Sequence, residues 1–94
     1  MYNNLNPILH SQLRLAIISL LVKNRVMDFT EIKDGTKATA GNLSVQIKKL
    51  ESAEYIMVLK SFKNNYPLTT VKLTEKGLLA FEQYVADLKR YLEP

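Results

Sequence analysis

The 94-residue chain has no cysteine, no tryptophan and a single histidine, His10. Without thiols there is neither a disulfide framework nor a thiolate metal site. One histidine with no carboxylate pair nearby makes neither a metal centre nor an acid–base site, so His10 reads as a helix-surface or interface residue. Glycine and proline number three each. There is no phosphate-cradling glycine loop, and no repeat, linker or low-complexity tract. No nucleophile–base pair can be assembled, so no catalytic residue is assigned and no enzymatic activity, metal or cofactor is expected. No apolar run approaches the roughly 20 residues of a membrane span. The longest, Leu13 to Val22, is interrupted by Arg14 and Ser19. Met1-Tyr2-Asn3-Asn4 lacks the basic region of a secretion signal. No membrane partner is expected, and a cytoplasmic location is the simplest reading.

The chain has the length of one small domain, 1–94, expected to bury roughly 60–65% of its unfolded surface. Its net charge is +4, unevenly spread. Residues 36–72 carry six lysines against Glu51 and Glu54 and so hold +4, while residues 1–35 hold +1 and residues 73–94 hold −1. A basic segment of this kind points to a polyanionic partner, the alternative being a lysine-rich solvated surface.

Asn6-Pro7 is a helix start signal, predicting a first helix over 5–23. Leu9, Leu13, Ala16, Ile17, Leu20 and Leu21 form one apolar stripe. Leu5, Ile8, Leu15, Ile18 and Val22 form a second, more than a small core needs, which suggests burial against a second subunit. Met27-Asp28-Phe29 reads as a short extended entry. Thr30 is expected to cap a short helix from Glu31 to about Lys37, anchored by Phe29 and Ile32, with Gly35 weakening its end. Thr39 is expected to cap a third helix ending near Ala53, with Leu43, Ile47 and Leu50 inward. The outward side of that helix carries small polar groups and then Lys48 and Lys49, with no acid until Glu51.

Tyr55 to Phe62 is rich in strand formers, with Ile56, Val58 and Phe62 on one side. Lys63-Asn64-Asn65-Tyr66-Pro67 is turn chemistry, and Leu68 to Leu73 returns as the partner strand. Thr74 is expected to cap a last helix, 75–92, whose Leu78, Phe81, Val85, Leu88 and Leu92 step by three and four residues as a heptad-like seam. The reading is an α+β, mainly α chain: a helix-turn-helix over 30–53, a two-stranded hairpin over 55–73 and a C-terminal dimerisation helix.

That order resembles the winged-helix transcriptional regulators, in particular the small stand-alone branch near the MarR and ArsR families. The matching segments are Leu13-Arg14-Leu15-Ala16-Ile17, Phe29-Thr30-Glu31-Ile32, Gly41-Asn42-Leu43-Ser44, Ile47-Lys48-Lys49-Leu50-Glu51, Ala53 with Tyr55-Ile56, and Leu73-Thr74-Glu75-Lys76-Gly77, covering roughly residues 5–92. The resemblance implies a homodimer on a pseudo-palindromic double-stranded DNA site, the first and last helices forming the subunit interface. There are departures. Glu54 stands where a glycine usually follows the recognition helix, and residues 63–68 offer Lys63 in place of the arginine such hairpins commonly carry. The Cys/His metal sites of ArsR-type repressors have no counterpart.

On this reading Thr39, Gly41, Asn42, Ser44, Val45, Gln46, Lys48 and Lys49 face DNA. Asn42 and Gln46 suit an adenine edge and Val45 a thymine methyl, while the lysines suit phosphates. Gly41 would permit close backbone approach. Lys60, Lys63 and Lys72 line the hairpin toward flanking phosphates. Arg14 is expected to pair with an acid of the last helix, the alternative being contact with a DNA phosphate. The dimer interface is expected from Leu5, Ile8, Leu15, Ile18, Leu78, Phe81, Val85, Leu88 and Leu92. A small-molecule effector is compatible with this reading, but no polar cluster marks a pocket for one. The alternative is a winged-helix module that binds protein and not DNA.

Overall fold

The computed structural model describes residues 4–93; residues 1–3, which enter the secretion-signal reading, lie outside it. The elements run α1 (Gln12–Asn24), β1 (Val26–Asp28), α2 (Phe29–Thr36), α3 (Ala40–Ser52), β2 (Ile56–Lys63), β3 (Tyr66–Leu73) and α4 (Glu75–Leu92). The three strands form one antiparallel sheet in the order β1-β3-β2. This is a mainly helical winged-helix fold with a C-terminal helix. The molecule is elongated, 54 × 24 × 21 Å.

The first helix begins later than Asn6-Pro7 predicts. Asn6 does cap backbone, its Oδ1 accepting from the Ile8 and Leu9 amides, but only a single turn closes there. The continuous helix starts at Gln12, with Ser11 as N-cap accepting from the Arg14 amide. The helix α1 sits centrally, touching α2, α3, α4, β1 and β3. Both apolar stripes therefore contribute to the chain's own core. Ile17, Ile18 and Leu21 are fully buried, and Leu5, Ile8, Leu15 and Val22 pack partly buried on the core. Ile18, expected at a dimer interface, is thus a core residue with no surface to offer a second subunit.

The N-cap of α2 is Asp28 and not Thr30. Asp28 Oδ1 accepts from the Glu31 amide (2.8 Å) and Glu31 Oε1 from the Asp28 amide (2.9 Å), a reciprocal capping box that also brings β1 to an end. The α2 helix continues through Gly35 to Thr36. For α3, Thr39 is the N-cap, and Leu43, Ile47 and Leu50 are buried as the spacing predicts.

After α3 the backbone turns at Glu54, with φ 64°. The Tyr55 amide donates to Leu50 O (3.1 Å) and the Glu54 amide to Glu51 O (2.9 Å), a Schellman closure built without glycine. Thr74 then ties this corner to α4. Its amide donates to Tyr55 O (3.1 Å), its hydroxyl donates to Glu54 O (2.7 Å) and accepts from the Gly77 amide (3.0 Å). Gly77 is required at that junction, because a Cβ there would overlap the Tyr55 carbonyl oxygen.

The hairpin is longer and tighter than the sequence implies. Its loop is only Asn64-Asn65, with φ 53° and 65°, the two left-handed residues of a type I′ turn. Pro67 does not end the ladder; it pairs with Phe62. Alternation from the loop-closing pair Lys63–Tyr66 puts Phe62–Pro67 at a non-hydrogen-bonded position, where the missing N–H is not needed. Two strands of eight residues reach about 26 Å, well past the core.

Candidate nucleic-acid interface

Three sides of α3 have different surroundings. Its inner side is the core face. At 100° per residue, Asn42, Gln46 and Lys49 flank α1, Ser44, Lys48 and Glu51 flank the hairpin, and Gly41, Val45 and Ser52 lie outermost. Val45 is 50% exposed, and Thr39, Gly41, Asn42, Ser44, Lys48 and Lys49 are all exposed. A Cβ at Gly41 would meet no atom of the chain, so nothing internal demands glycine at that point.

On the α1 flank the polar groups are already engaged. Arg14 Nη1 donates to Gln46 Oε1 (2.6 Å) and Arg14 Nε donates to Ile8 O (2.6 Å). Gln46 Nε2 in turn donates to Asn42 Oδ1 (3.1 Å). Arg14 therefore does not pair with an acid of α4; it braces the recognition-type helix against the turn that precedes α1. Gln46, read from sequence as a base-contacting group, is a half-buried link in this chain, and Asn42 is its outer end. Arg14, Lys48 and Lys49 also share an open groove with Ile8, Ser52 and Ala53.

On the other flank α3 and the hairpin meet in a cleft of about 160 Å³, lined by Ser44, Ile47 and Lys48 from α3, Val58 and Lys60 from β2, and Thr69 from β3, with Phe29 and Glu51 at its sides. The register explains which hairpin residues face it. Val58, Lys60 and Phe62 share one face with Val71, Thr69 and Pro67, whereas Met57, Leu59, Ser61 and Lys63 share the other with Lys72, Thr70, Leu68 and Tyr66. Lys60 is thus brought beside Ser44 and Lys48. Lys63 and Lys72 are not; they project from the opposite sheet face, Lys72 between Met57 and Val26. Thr69 and the exposed Phe62 belong to the α3-facing surface, and the sequence reading missed both as interface residues. The signal for Phe62 was its even spacing from Val58 and Lys60 on a strand too long for the core to cover.

The other polar cluster lies at the start of α1 and on α4. His10 Nδ1 is 3.3 Å from the hydroxyl of buried Tyr84, and Gln83 Nε2 donates to buried Asp87 (2.9 Å). Among the described residues no group of three or more His, Cys, Asp or Glu could hold a metal ion, and no helix is long and apolar enough to cross a membrane.

Two helices with a short turn between them, the second open to solvent beside a projecting hairpin, define a winged helix-turn-helix. Residues 13–92 match the family model described as a winged helix DNA-binding domain, and the chain belongs to that family. An uncharacterized protein of Methanocaldococcus jannaschii, MJ0432, is 32% identical over 81 residues, 86% of this chain and 88% of that one. Among solved structures, the transcriptional regulator homologue from Pyrococcus horikoshii OT3 superposes with a TM-score of 0.85 at 28% identity, over 92% of this chain and 85% of its own. NadR in complex with 4-hydroxyphenylacetate gives a TM-score of 0.74 at 26% identity, over 90% of this chain and 63% of its own. The winged-helix fold expected from the sequence holds.

Proposed function

We propose that the chain is a sequence-specific DNA-binding transcriptional regulator acting as a homodimer, with α3 in the major groove. The observation that carries this reading is the exposed side of α3. From Thr39 to Lys49 it offers a capping hydroxyl, an amide, a serine, a valine and two lysines without one acid, and Lys60 of the hairpin stands beside it. Asn42, Ser44 and Val45 are assigned to base edges. Thr39, Lys48, Lys49 and Lys60 are assigned to phosphates, with Gly41 letting the backbone approach. Gln46 acts by holding Asn42 and Arg14 in place, and Lys63 meets the backbone beyond the hairpin. Lys72, on the outer sheet face, is given no role.

The second subunit is assigned to α4 and the segment before α1. In α4, Leu79 (57%), Tyr91 (45%) and Leu92 (72%) are exposed, and Leu78, Phe81, Val85 and Leu88 are partly covered. Leu5, Ile8 and Leu15, partly buried against the core, are assigned to the same interface. A two-fold dimer would set the two α3 helices about one helical turn of DNA apart, on a pseudo-palindromic site. Such a regulator acts in the cytoplasm.

The test is to select duplexes from a random-sequence pool with the purified protein, then measure stoichiometry and salt dependence on the selected duplex. Two chains per duplex and affinity that falls steeply with salt are expected. Failure to enrich any sequence, or weak binding indifferent to salt, would leave the protein-binding module as the better account.

A further inference from the structure

Phe62 is 77% exposed, the most exposed large hydrophobic residue of the chain among those described. Three features make it more than a stray surface aromatic. First, it lies on the hairpin face that α3 shares, two residues beyond Lys60 and therefore about 7 Å further out along the strand. Second, its register partner is Pro67, so the end of that face is an aromatic ring opposite a pyrrolidine ring with no polar side chain between them. Third, the end is stiff: both loop residues are left-handed asparagines without glycine, and the proline fixes its own φ. Arginine is absent from residues 56–73, so no guanidinium is available there to read a narrow groove.

Resting on the DNA-binding reading above, we propose that Phe62, backed by Pro67, enters the minor groove flanking each half-site as an apolar wedge, while Lys60 holds the adjoining phosphates. Minor-groove proteins insert phenylalanine or proline between base steps in this way, and the step that opens most readily is pyrimidine–purine. The hairpin then contributes specificity at a base step that α3 does not touch, through the ease of deforming it. The flanking lysine matches the phosphate rim of that groove: Ser44, Lys48 and Lys60 line one cleft, and Phe62 follows Lys60 on the same hairpin face.

The experiment compares wild type, Phe62→Ala, Phe62→Leu and Tyr66→Ala on a duplex that the wild type selects from a random pool. Tyr66 is the internal control, since it is 74% exposed at the same hairpin end but faces the opposite way. Phe62→Ala should weaken binding about tenfold without changing the salt slope, because the variant keeps every cation. Repeated selection with that variant should lose any preference for TA or CA/TG at the flanking step. Phe62→Leu should retain part of the affinity, and Tyr66→Ala all of it. Wild-type affinity and selectivity in Phe62→Ala, or an equal loss in Tyr66→Ala, would overturn the wedge while leaving the regulator reading intact. A wild type that selects no duplex would overturn both.

Discussion

Replacing Gly77 with alanine puts a Cβ where the Tyr55 carbonyl oxygen already sits, with Leu73 Cδ1 at 3.0 Å on another side. The carbonyl is not free to move. It accepts from the Thr74 amide at 3.1 Å, and Thr74 also fixes Glu54 O and the Gly77 amide. Overpacking at such a site costs roughly 1–3 kcal/mol, and displacing the carbonyl sacrifices a backbone hydrogen bond of about 1 kcal/mol. Alanine returns at most about 1 kcal/mol of helix propensity over glycine. The net loss is therefore about 1–3 kcal/mol, a fall in Tm on the order of 10 °C for a domain of this size. Gly41→Ala is the matched comparison: its Cβ meets nothing within 4 Å, so the same change should raise Tm slightly. Circular-dichroism melts of both variants at one protein concentration make the test. A Gly77→Ala protein that melts at or above wild type, or that tracks Gly41→Ala, would refute the claim that this junction clamps the end of α3 to α4.

Two further predictions concern stability, and a third concerns assembly. Glu54→Gly should stabilise the chain by up to about 1 kcal/mol, because it relieves a left-handed non-glycine residue and gives up only an exposed 3.6 Å pair with Lys76; a lower urea midpoint would contradict this. Ile18→Ala should cost roughly 2–5 kcal/mol at any protein concentration, as a core cavity does; a destabilisation that vanishes on dilution would return Ile18 to the subunit interface. Leu92→Asp, at a 72% exposed position, should leave the chain folded but shift sedimentation toward the monomer. Unaltered sedimentation would remove the C-terminal end of α4 from the interface.

The features legible in the sequence are those fixed locally. Thr39 and Thr74 are followed by helical periodicity, and Leu43, Ile47 and Leu50 recur at helical spacing, so the caps and inner face of α3 need no tertiary information. The capping box of Asp28 and Glu31 is also local, but Thr30 competes for the cap as soon as the extended segment is carried one residue too far, through Phe29. At the N-terminus the Asn6-Pro7 signal is genuine yet closes only one turn, since Ser11 offers a second cap five residues later. Long-range pairs leave no trace in the pattern. The link from Arg14 to Gln46 joins residues 32 apart, and nothing near either side chain announces the other. For the same reason the second stripe of α1 reads as surplus apolar surface. Whether α4, another part of the core or a second subunit covers it depends on packing, and for Ile18 the chain covers it itself. Proline usually interrupts a ladder, which makes Pro67 look like the end of the turn. Here β3 has no neighbour on its far side at that point, because β1 pairs only with residues 70–72.

Whether the acid-free side of α3 meets DNA phosphates is tested most directly by the salt dependence of binding for wild type and the Lys48→Glu, Lys49→Glu double variant. Fluorescence anisotropy on the selected duplex, over a salt series, gives the slope of log affinity against log salt. The expected result is a large drop in affinity and a slope shallower by about 0.9 for each phosphate that the variant no longer neutralises, with Tm unchanged because both lysines are exposed. An unchanged affinity and slope would contradict the placement of α3 in the groove.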